Sequence, residues 1–113
     1  MSNLDWSTEL DALLAAPGNH TLILENDKVR VLDTLIKPGD ETPVHTHANP
    51  SVFYILSWSD FVRYDGEGNV MTDTRENPDV PPQVLWSEPI GPHAVLNVGE
   101  VDLHVIGVEI KIP

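Results

Sequence analysis

The stretch PVHTHANPSVFYILSW, residues 43–58, combines two closely spaced histidines with a candidate strand. It places His45 and His47 two positions apart and then continues into an apolar, β-branched and aromatic segment. Side chains two apart on a strand point to the same face of a sheet. If that face is a barrel interior, two buried imidazoles need partners, and a divalent metal satisfies both. The pair therefore predicts a metal site, although two surface histidines at a strand end would have the same spacing.

A third histidine lies in a second stretch, PIGPHAVLN, residues 89–97. His93 follows Gly91 and Pro92, which predict a turn into a strand, and Asn97 is at the same-face spacing four residues later. The candidate metal ligands are therefore His45, His47 and His93. Of the remaining histidines, His20 is interpreted as a solvated loop residue and His104 as a reserve ligand candidate.

Short strands separated by Gly, Pro and Asp account for most of the chain, which predicts an all-β antiparallel sandwich or barrel, with a jelly roll suiting this length. The candidate strands are HTLILEN (20–26), KVRVLDTLI (28–36), VFYILSW (52–58), DFVRYD (60–65), VMTDTR (70–75), QVLWSE (83–88), HAVLNV (93–98) and VDLHVIGVEI (101–110). Before them, LDWSTELDALLAAPGN predicts a helix capped by Asp5 or Ser7 and ended by Pro17 and Gly18. We expect an N-terminal helical extension over 1–18 and a single domain over 19–113.

Composition excludes several classes of function. With 6 basic and 18 acidic residues the net charge is −12, so we expect no nucleic-acid partner. No apolar run approaches the roughly 20 residues that a bilayer requires, and no secretory signal begins the chain, so we expect no membrane association and a cytoplasmic location. Cysteine is absent, which excludes disulfides and thiolate ligands.

The two histidine stretches resemble the two motifs of the cupin family, whose fold is the RmlC-like double-stranded β-helix. The family's first motif is Gly, five residues, His, any residue, His, three or four residues, Glu, and it matches here at Gly39, His45 and His47. The second motif is Pro, any residue, Gly, two residues, His, three residues, Asn. This second motif matches, with one residue fewer between Gly and His, at Pro89, Gly91, His93 and Asn97.

The resemblance implies a cupin barrel over about residues 22–110 with one divalent metal ion in it. The family's glutamate ligand falls at Ser51, a poor ligand, which leaves the three-histidine set. Some iron-dependent dioxygenases of this family use three histidines without the glutamate. The resemblance therefore favours Fe²⁺, with Zn²⁺, Ni²⁺, Mn²⁺ and Cu²⁺ as alternatives, and an Fe²⁺ dioxygenase-type enzyme acting on a small chelating organic molecule.

Counting alternately from the ligands predicts the residues that line the pocket: Phe53, Ile55, Val95 and Asn97, with Trp86 as a further wall. An apolar lining suits a small organic substrate with one chelating end. Two other functions stay open, namely a non-redox metal-dependent isomerase or lyase and a non-catalytic binding protein, and a metal-free jelly roll is possible too. Because small jelly rolls bury an open sheet edge by pairing, we expect a homodimer, in which Trp6 covers either the partner or its own barrel end.

Overall fold

A computed structural model describes residues 6–77 and 79–111 of the chain. Within these residues, nine strands and a few short helical turns are present. The strands are β1 (His20–Glu25), β2 (Val29–Ile36), β3 (His45–His47), β4 (Ser51–Ser57), β5 (Phe61–Asp65), β6 (Val70–Asp73), β7 (Val84–Ser87), β8 (Ile90–Asn97) and β9 (Leu103–Ile110). All eight candidate strands of the sequence are present, with ends shifted by up to three residues.

The strands form two antiparallel sheets that face each other. One sheet has the order β1-β2-β9-β4-β7 and the other has the order β3-β8-β5-β6. This is the predicted jelly-roll barrel, and the all-β prediction is confirmed. The fold brings β3 and β8, which are far apart in the sequence, side by side, with His45 opposite His93.

Strand β9 shows how alternation sorts side chains between the interior and the outer surface. Leu103 is buried, and Val105 lines the interior with it, while His104 between them points outward to Asp33. Further along the strand, a side chain at Gly107 would approach the ring of Phe53 on β4 to 2.9 Å. Gly107 is therefore the position that makes room for an aromatic ring inside the barrel.

The N-terminal helix is shorter than predicted. A 3₁₀ turn covers Thr8–Leu10 with Ser7 as its N-cap, and helix α1 covers only Ala12–Ala15. The predicted helix is interrupted at Asp11, which is extended and caps α1 through its carboxylate instead of continuing the turn. The alternative cap, Asp5, lies outside the described residues.

These helical turns lie on the chain's own barrel. Ala12 and Ala16 are fully buried, and the indole of Trp6 packs within 3.2 Å of the place where a side chain of Gly91 on β8 would begin. In the structure, Trp6 therefore covers part of its own barrel, which is one of the two expectations for this residue. Among the described residues, no helix has the length and apolar character that crossing a bilayer requires.

Candidate metal centre

Three strands bring four histidines together at one site. His45 and His47 come from β3, His93 comes from the neighbouring β8, and His20 is the first residue of β1. We call these four residues the histidine cluster. The two-residue period of β3 turns His45 and His47 to the same side, as the sequence predicts, and antiparallel pairing with β8 adds His93 to that side.

The prediction of His20 as a solvated loop residue is wrong. His20 is 4 % exposed, and its Nδ1 lies 3.0 Å from the carbonyl oxygen of Ala16. The turn that joins α1 to β1 is tight enough for that carbonyl to hold the ring inward. Residues 16–19 have the composition of a surface loop, so the sequence carries no local signal of this burial.

The rings of the histidine cluster lie close together. The ring centres of His20 and His45 are 4.8 Å apart, and those of His45 and His47 are 5.0 Å apart. His93 is 4.3 Å from His45 and 5.4 Å from His47. A metal–nitrogen bond of about 2.0–2.1 Å places neighbouring ligand rings with their centres roughly 4.5–5.2 Å apart. The observed separations fall around this range.

Backbone carbonyls fix which nitrogen of each ring is free. Nδ1 of His45 lies 2.8 Å from the carbonyl oxygen of Pro43, and Nδ1 of His93 lies 2.8 Å from that of Gly91. Because a carbonyl oxygen only accepts, Nδ1 must carry the proton in both rings, as in His20. The Nε2 atoms are thereby left with a free lone pair, which is the arrangement found behind metal-bound histidines.

His47 is backed by a carboxylate instead of a carbonyl. Its Nδ1 lies 3.6 Å from Oε2 of Glu109, a residue that is 1 % exposed. The guanidinium of Arg30 donates to Glu109 from Nε at 3.1 Å and to Asp11 from Nη2 at 2.8 Å. Asn49 donates to Oε1 of Glu109 at 3.3 Å. The donors of Arg30 and Asn49 hold the Glu109 carboxylate next to Nδ1 of His47.

Burial keeps three imidazoles of the cluster neutral. Desolvation lowers the pKa of His45 to about 2, that of His93 to about 3 and that of His20 to about 4. The carboxyl of Glu109 is subject to the opposite effect, since burial would raise its pKa, but His47 and Arg30 bring that pKa below its ordinary value. At neutral pH the imidazoles of His20, His45 and His93 are therefore neutral, and neutral imidazole is the form that binds metal.

The geometry fits a divalent ion. One ligand nitrogen from each of His20, His45 and His47 lies within 4.8 Å of the other two. In addition, Nε2 of His20 is fully buried with no hydrogen-bond partner among the described residues. A buried lone pair without a partner is costly, and a metal ion removes that cost. The described residues therefore contain a histidine group that could hold a metal.

Ser51, which the resemblance places at the position of the family's glutamate, makes no hydrogen bond to a ring of the cluster among the described residues. Ser51 is 1 % exposed at the start of β4, and its hydroxyl donates to the carbonyl oxygen of Asn49 at 3.3 Å. Its cross-strand neighbour on β9 is Glu109. The carboxylate of Glu109 lies against Nδ1 of His47.

The histidine cluster lies on the wall of a cavity of about 280 Å³. The predicted pocket residues that line it are Phe53, Ile55, Trp86 and Val95. A buried apolar cluster of Ile36, Val95 and Leu103 continues the wall. Trp58 also lines the cavity and packs its ring edge-on to Phe61 at 5.5 Å. The cavity is largely apolar apart from the histidines and one arginine, Arg63.

The prediction that Asn97 lines the pocket is wrong. Asn97 is 1 % exposed, but its side chain is used by the backbone around it. Its amide nitrogen donates to the carbonyl oxygens of Ile36 and Val101 at 2.8 and 2.9 Å, and its Oδ1 accepts from Ser59 and Gly99 at 2.8 and 2.9 Å. With four hydrogen bonds, Asn97 holds the loop between β8 and β9.

The reserve ligand His104 lies away from the cluster. Its Nε2 is 2.7 Å from Oδ1 of Asp33 on the outer face of the barrel. Three residues of the site were not identified from the sequence: Arg30, Arg63 and Glu109. All three are charged residues within apolar strands. In those strands, the alternation of apolar and polar residues does not show which face points to the interior.

Solved structures share this fold. A cupin domain from Bordetella pertussis Tohama I has a TM-score of 0.62 at 22 % identity, over 82 % of this chain and 92 % of that one. An RmlC-like cupin family protein with a double-stranded β-helix fold from Methanocaldococcus jannaschii has a TM-score of 0.57 at 9 % identity, over 81 % and 78 %. A conserved protein with a double-stranded β-helix domain from Klebsiella pneumoniae has a TM-score of 0.55 at 18 % identity, over 96 % and 80 %.

No protein-family model matches the chain, and no curated protein matches it. The similarity to solved structures establishes the cupin double-stranded β-helix fold. A fold of this kind supports many different reactions, so the function has to be argued from the site.

Proposed function

We propose that this chain is a cupin metalloprotein in which the histidine cluster holds one divalent ion. The cavity beside the cluster binds a small organic molecule through a chelating end. The ion is Fe²⁺, and the activity is a dioxygenase reaction on that molecule.

The observation that carries the proposal is the orientation of the imidazoles. Nδ1 of His20, His45 and His93 is bonded to a backbone carbonyl, and that of His47 faces Glu109. Core histidines that only fill space have no need for the same nitrogen to be fixed in every ring. A shared ion is a requirement that explains why Nδ1 is bonded in the same way in three of these rings, which leaves the lone pair of Nε2 available in each of the three.

When bound, a divalent ion would supply a Lewis acid for chelating oxygen ligands and, as Fe²⁺, the capacity to react with dioxygen. The chain's own residues perform the rest. The backbone carbonyls and Glu109 orient the rings, and the apolar wall formed by Phe53, Ile55 and Val95 excludes water from the bound molecule. Because the imidazoles are neutral, the ion keeps its full charge and attracts anionic chelating groups.

Oxygen uptake by Fe²⁺-loaded protein tests the reaction, with 1,3-dicarbonyl compounds and thiols as candidate substrates. We expect substrate-dependent oxygen consumption by the wild type and none by the double variant His45→Ala/His47→Ala. The variant His104→Ala is the matched control, since its ring lies outside the site, and should behave as the wild type does.

Other outcomes would replace the dioxygenase reaction. Turnover of a substrate without oxygen would indicate the isomerase or lyase alternative. Binding without turnover under either condition would indicate a ligand-binding protein. Failure to retain any divalent ion would contradict the whole proposal.

A further inference from the structure

One cation faces the same cavity as the histidines. Arg63 and Phe61 are two apart on β5, and both line the cavity. The guanidinium carbon of Arg63 lies 5.7 Å from the centre of the Phe61 ring. The cross-strand neighbour of Arg63 on β8 is Val95, which is two residues from His93. Arg63 therefore belongs to the cavity by position and not to the outer surface.

Unlike the other two arginines, Arg63 has no carboxylate partner in the part of the chain that the structure describes. Arg30 is paired with Asp11 at 2.8 Å, and Arg75 is paired with Asp73 at 2.8 Å. Among residues 6–77 and 79–111, no ion pair or hydrogen bond to the guanidinium of Arg63 is present, and its Nε is fully buried without a partner there. The chain has 18 acidic residues, so the lack of a partner does not come from a shortage of carboxylates.

The acidic residue nearest to Arg63 along the strand is used elsewhere. Asp65 accepts backbone hydrogen bonds from Glu67 and Asn69 at 2.8 and 2.9 Å, in the exposed turn after β5. A guanidinium in an apolar cavity is expensive unless a planar anion satisfies its fork of donors. The Phe61 ring supplies only part of that compensation.

Arg63 lies close to the candidate metal centre. Its cross-strand neighbour Val95 and the cluster residue His93 line the same cavity as Arg63 does. That cavity has a volume of about 280 Å³, just below the ~300–1,000 Å³ typical of ligand pockets. A small molecule can reach both the guanidinium and the histidine cluster.

We propose that Arg63 binds a carboxylate of the molecule that occupies the cavity, so that the ligand is a small organic acid. Its carboxylate pairs with the guanidinium, whose two parallel donors match the two oxygens of that group. The other end of the ligand chelates the ion in the histidine cluster, and only this second contact rests on the proposed function.

The test compares two acids that differ by one carboxylate, 2-oxoglutarate and 2-oxopentanoate, in calorimetric titrations of the Ni²⁺-loaded protein. Both have five carbons and the same chelating end. We expect the wild type to bind 2-oxoglutarate roughly 10- to 100-fold more tightly, the usual effect of a charge-assisted hydrogen-bonded pair. Arg63→Met should remove this preference, and Arg63→Lys should retain part of it because it keeps the charge without the fork.

Arg75→Met is the matched control, since Arg75 is exposed and paired with Asp73, and it should keep the full preference. The inference is overturned if the wild type does not distinguish the two acids, or if Arg63→Met still prefers 2-oxoglutarate. Equal nickel content in the wild type and Arg63→Met, measured beforehand, shows that the variant has folded with its ion.

A metal-free titration separates the two proposals. If the wild type takes up no nickel, the proposed function fails, and glutarate binding to the metal-free protein then tests Arg63 alone. Glutarate should shift the NMR signals of Arg63 and Phe61 in the wild type and should leave the same region of Arg63→Met unchanged. Absence of a shift in the wild type would overturn the inference independently of any metal.

Discussion

At the scale of single residues, the site depends on which ring nitrogen of each histidine is occupied. Three backbone carbonyls and one carboxylate occupy the Nδ1 side of the cluster, so the rings have little freedom to turn. A ligand that is already oriented loses less conformational freedom on binding. The residues behind the rings should therefore affect metal affinity although none of them contacts the ion.

Replacing Glu109 by Gln tests this expectation. The amide keeps the size of the side chain but removes the negative charge behind His47, so the affinity for Zn²⁺ should fall by about 10- to 100-fold. Competition with a chromophoric chelator measures the change. Asp33→Asn is the control, because Asp33 backs His104 on the outer face, and it should bind Zn²⁺ as the wild type does. Equal affinities for all three proteins would contradict a role for Glu109 in orienting His47.

The buried imidazoles also make the metal-free protein sensitive to acid. The pKa values of His20 and His93, about 4 and about 3, lie below the value of about 6.5 in an unfolded chain. As the pH falls, the unfolded chain takes up these protons first. The stabilisation is therefore complete above about pH 6.5 and is lost as the pH falls toward the folded-state values.

We expect the free energy of unfolding to decrease between pH 6.5 and 5 by up to about 1.4 kcal/mol per pH unit for each such histidine. Urea denaturation of the chelator-treated protein measures it. The pKa values of Asp11 and Glu109 are lowered, so those carboxyls contribute only at lower pH. His20→Gln should reduce the slope, and His104→Ala serves as the comparison for losing a histidine outside the cluster. A stability independent of pH in this window would be the contrary result.

The sequence predicted part of this arrangement. The two-residue spacing puts His45 and His47 on one face of any strand, so their convergence follows from local geometry. The burial of His20 depends on where α1 ends and on the Ala16 carbonyl, which are tertiary features. Arg63 and Glu109 were not identified because a charged residue in an apolar strand is ordinarily assigned to the outer face. Their inward direction is set by barrel closure.

At the scale of elements, the two ends of β8 contribute to different parts of the protein. His93 in its first half belongs to the histidine cluster, whereas Asn97 at its end holds the loop to β9. Asn97→Ala would leave buried donors and acceptors unpaired and should lower the free energy of unfolding by roughly 3 kcal/mol or more. Denaturant titration measures this loss. Asn69→Ala, in an exposed turn, is the matched control and should cost far less.

The same Asn97 variant distinguishes a structural role from a ligand-binding role. Its affinity for Zn²⁺, measured under conditions where it is folded, should equal that of the wild type. A loss of affinity without a loss of stability would return Asn97 to the pocket, as the sequence had suggested.

Strands and helix were predicted with different success. Turn residues punctuate the chain at nearly every strand end, and strand identity follows from β-branched and alternating residues, so the strands were found. The length of the helix was overestimated because its apolar residues are regularly spaced, although Asp11 in the middle does not adopt a helical backbone. Its carboxylate caps α1 and pairs with Arg30 on β2, and both contacts fix an extended backbone there.

For the molecule as a whole, we expect the homodimer that the sequence indicates, because β1 forms a sheet edge that no other described strand covers. Strand β1 is the last strand of its sheet, and Leu22, Ile23 and Leu24 in it are 44 %, 54 % and 49 % exposed. Such an edge pairs readily with a second copy of itself. Light scattering should therefore give about twice the 12.5 kDa mass of one chain.

Ile23→Lys should shift this protein toward the monomer, because a buried charge at the edge is unfavourable. Val101→Lys, at a similarly exposed position in the loop between β8 and β9, is the control and should remain dimeric. A wild type that has the mass of a single chain at tens of micromolar would contradict the dimer.

Elemental analysis of protein purified without chelator is the most direct test of whether the histidine cluster holds a divalent ion. We expect close to one divalent ion per chain in the wild type and in His104→Ala, and none in the double variant His45→Ala/His47→Ala. Equal metal content in the double variant and the wild type, or a wild type that stays metal-free after incubation with Fe²⁺, Ni²⁺ and Zn²⁺, would contradict it.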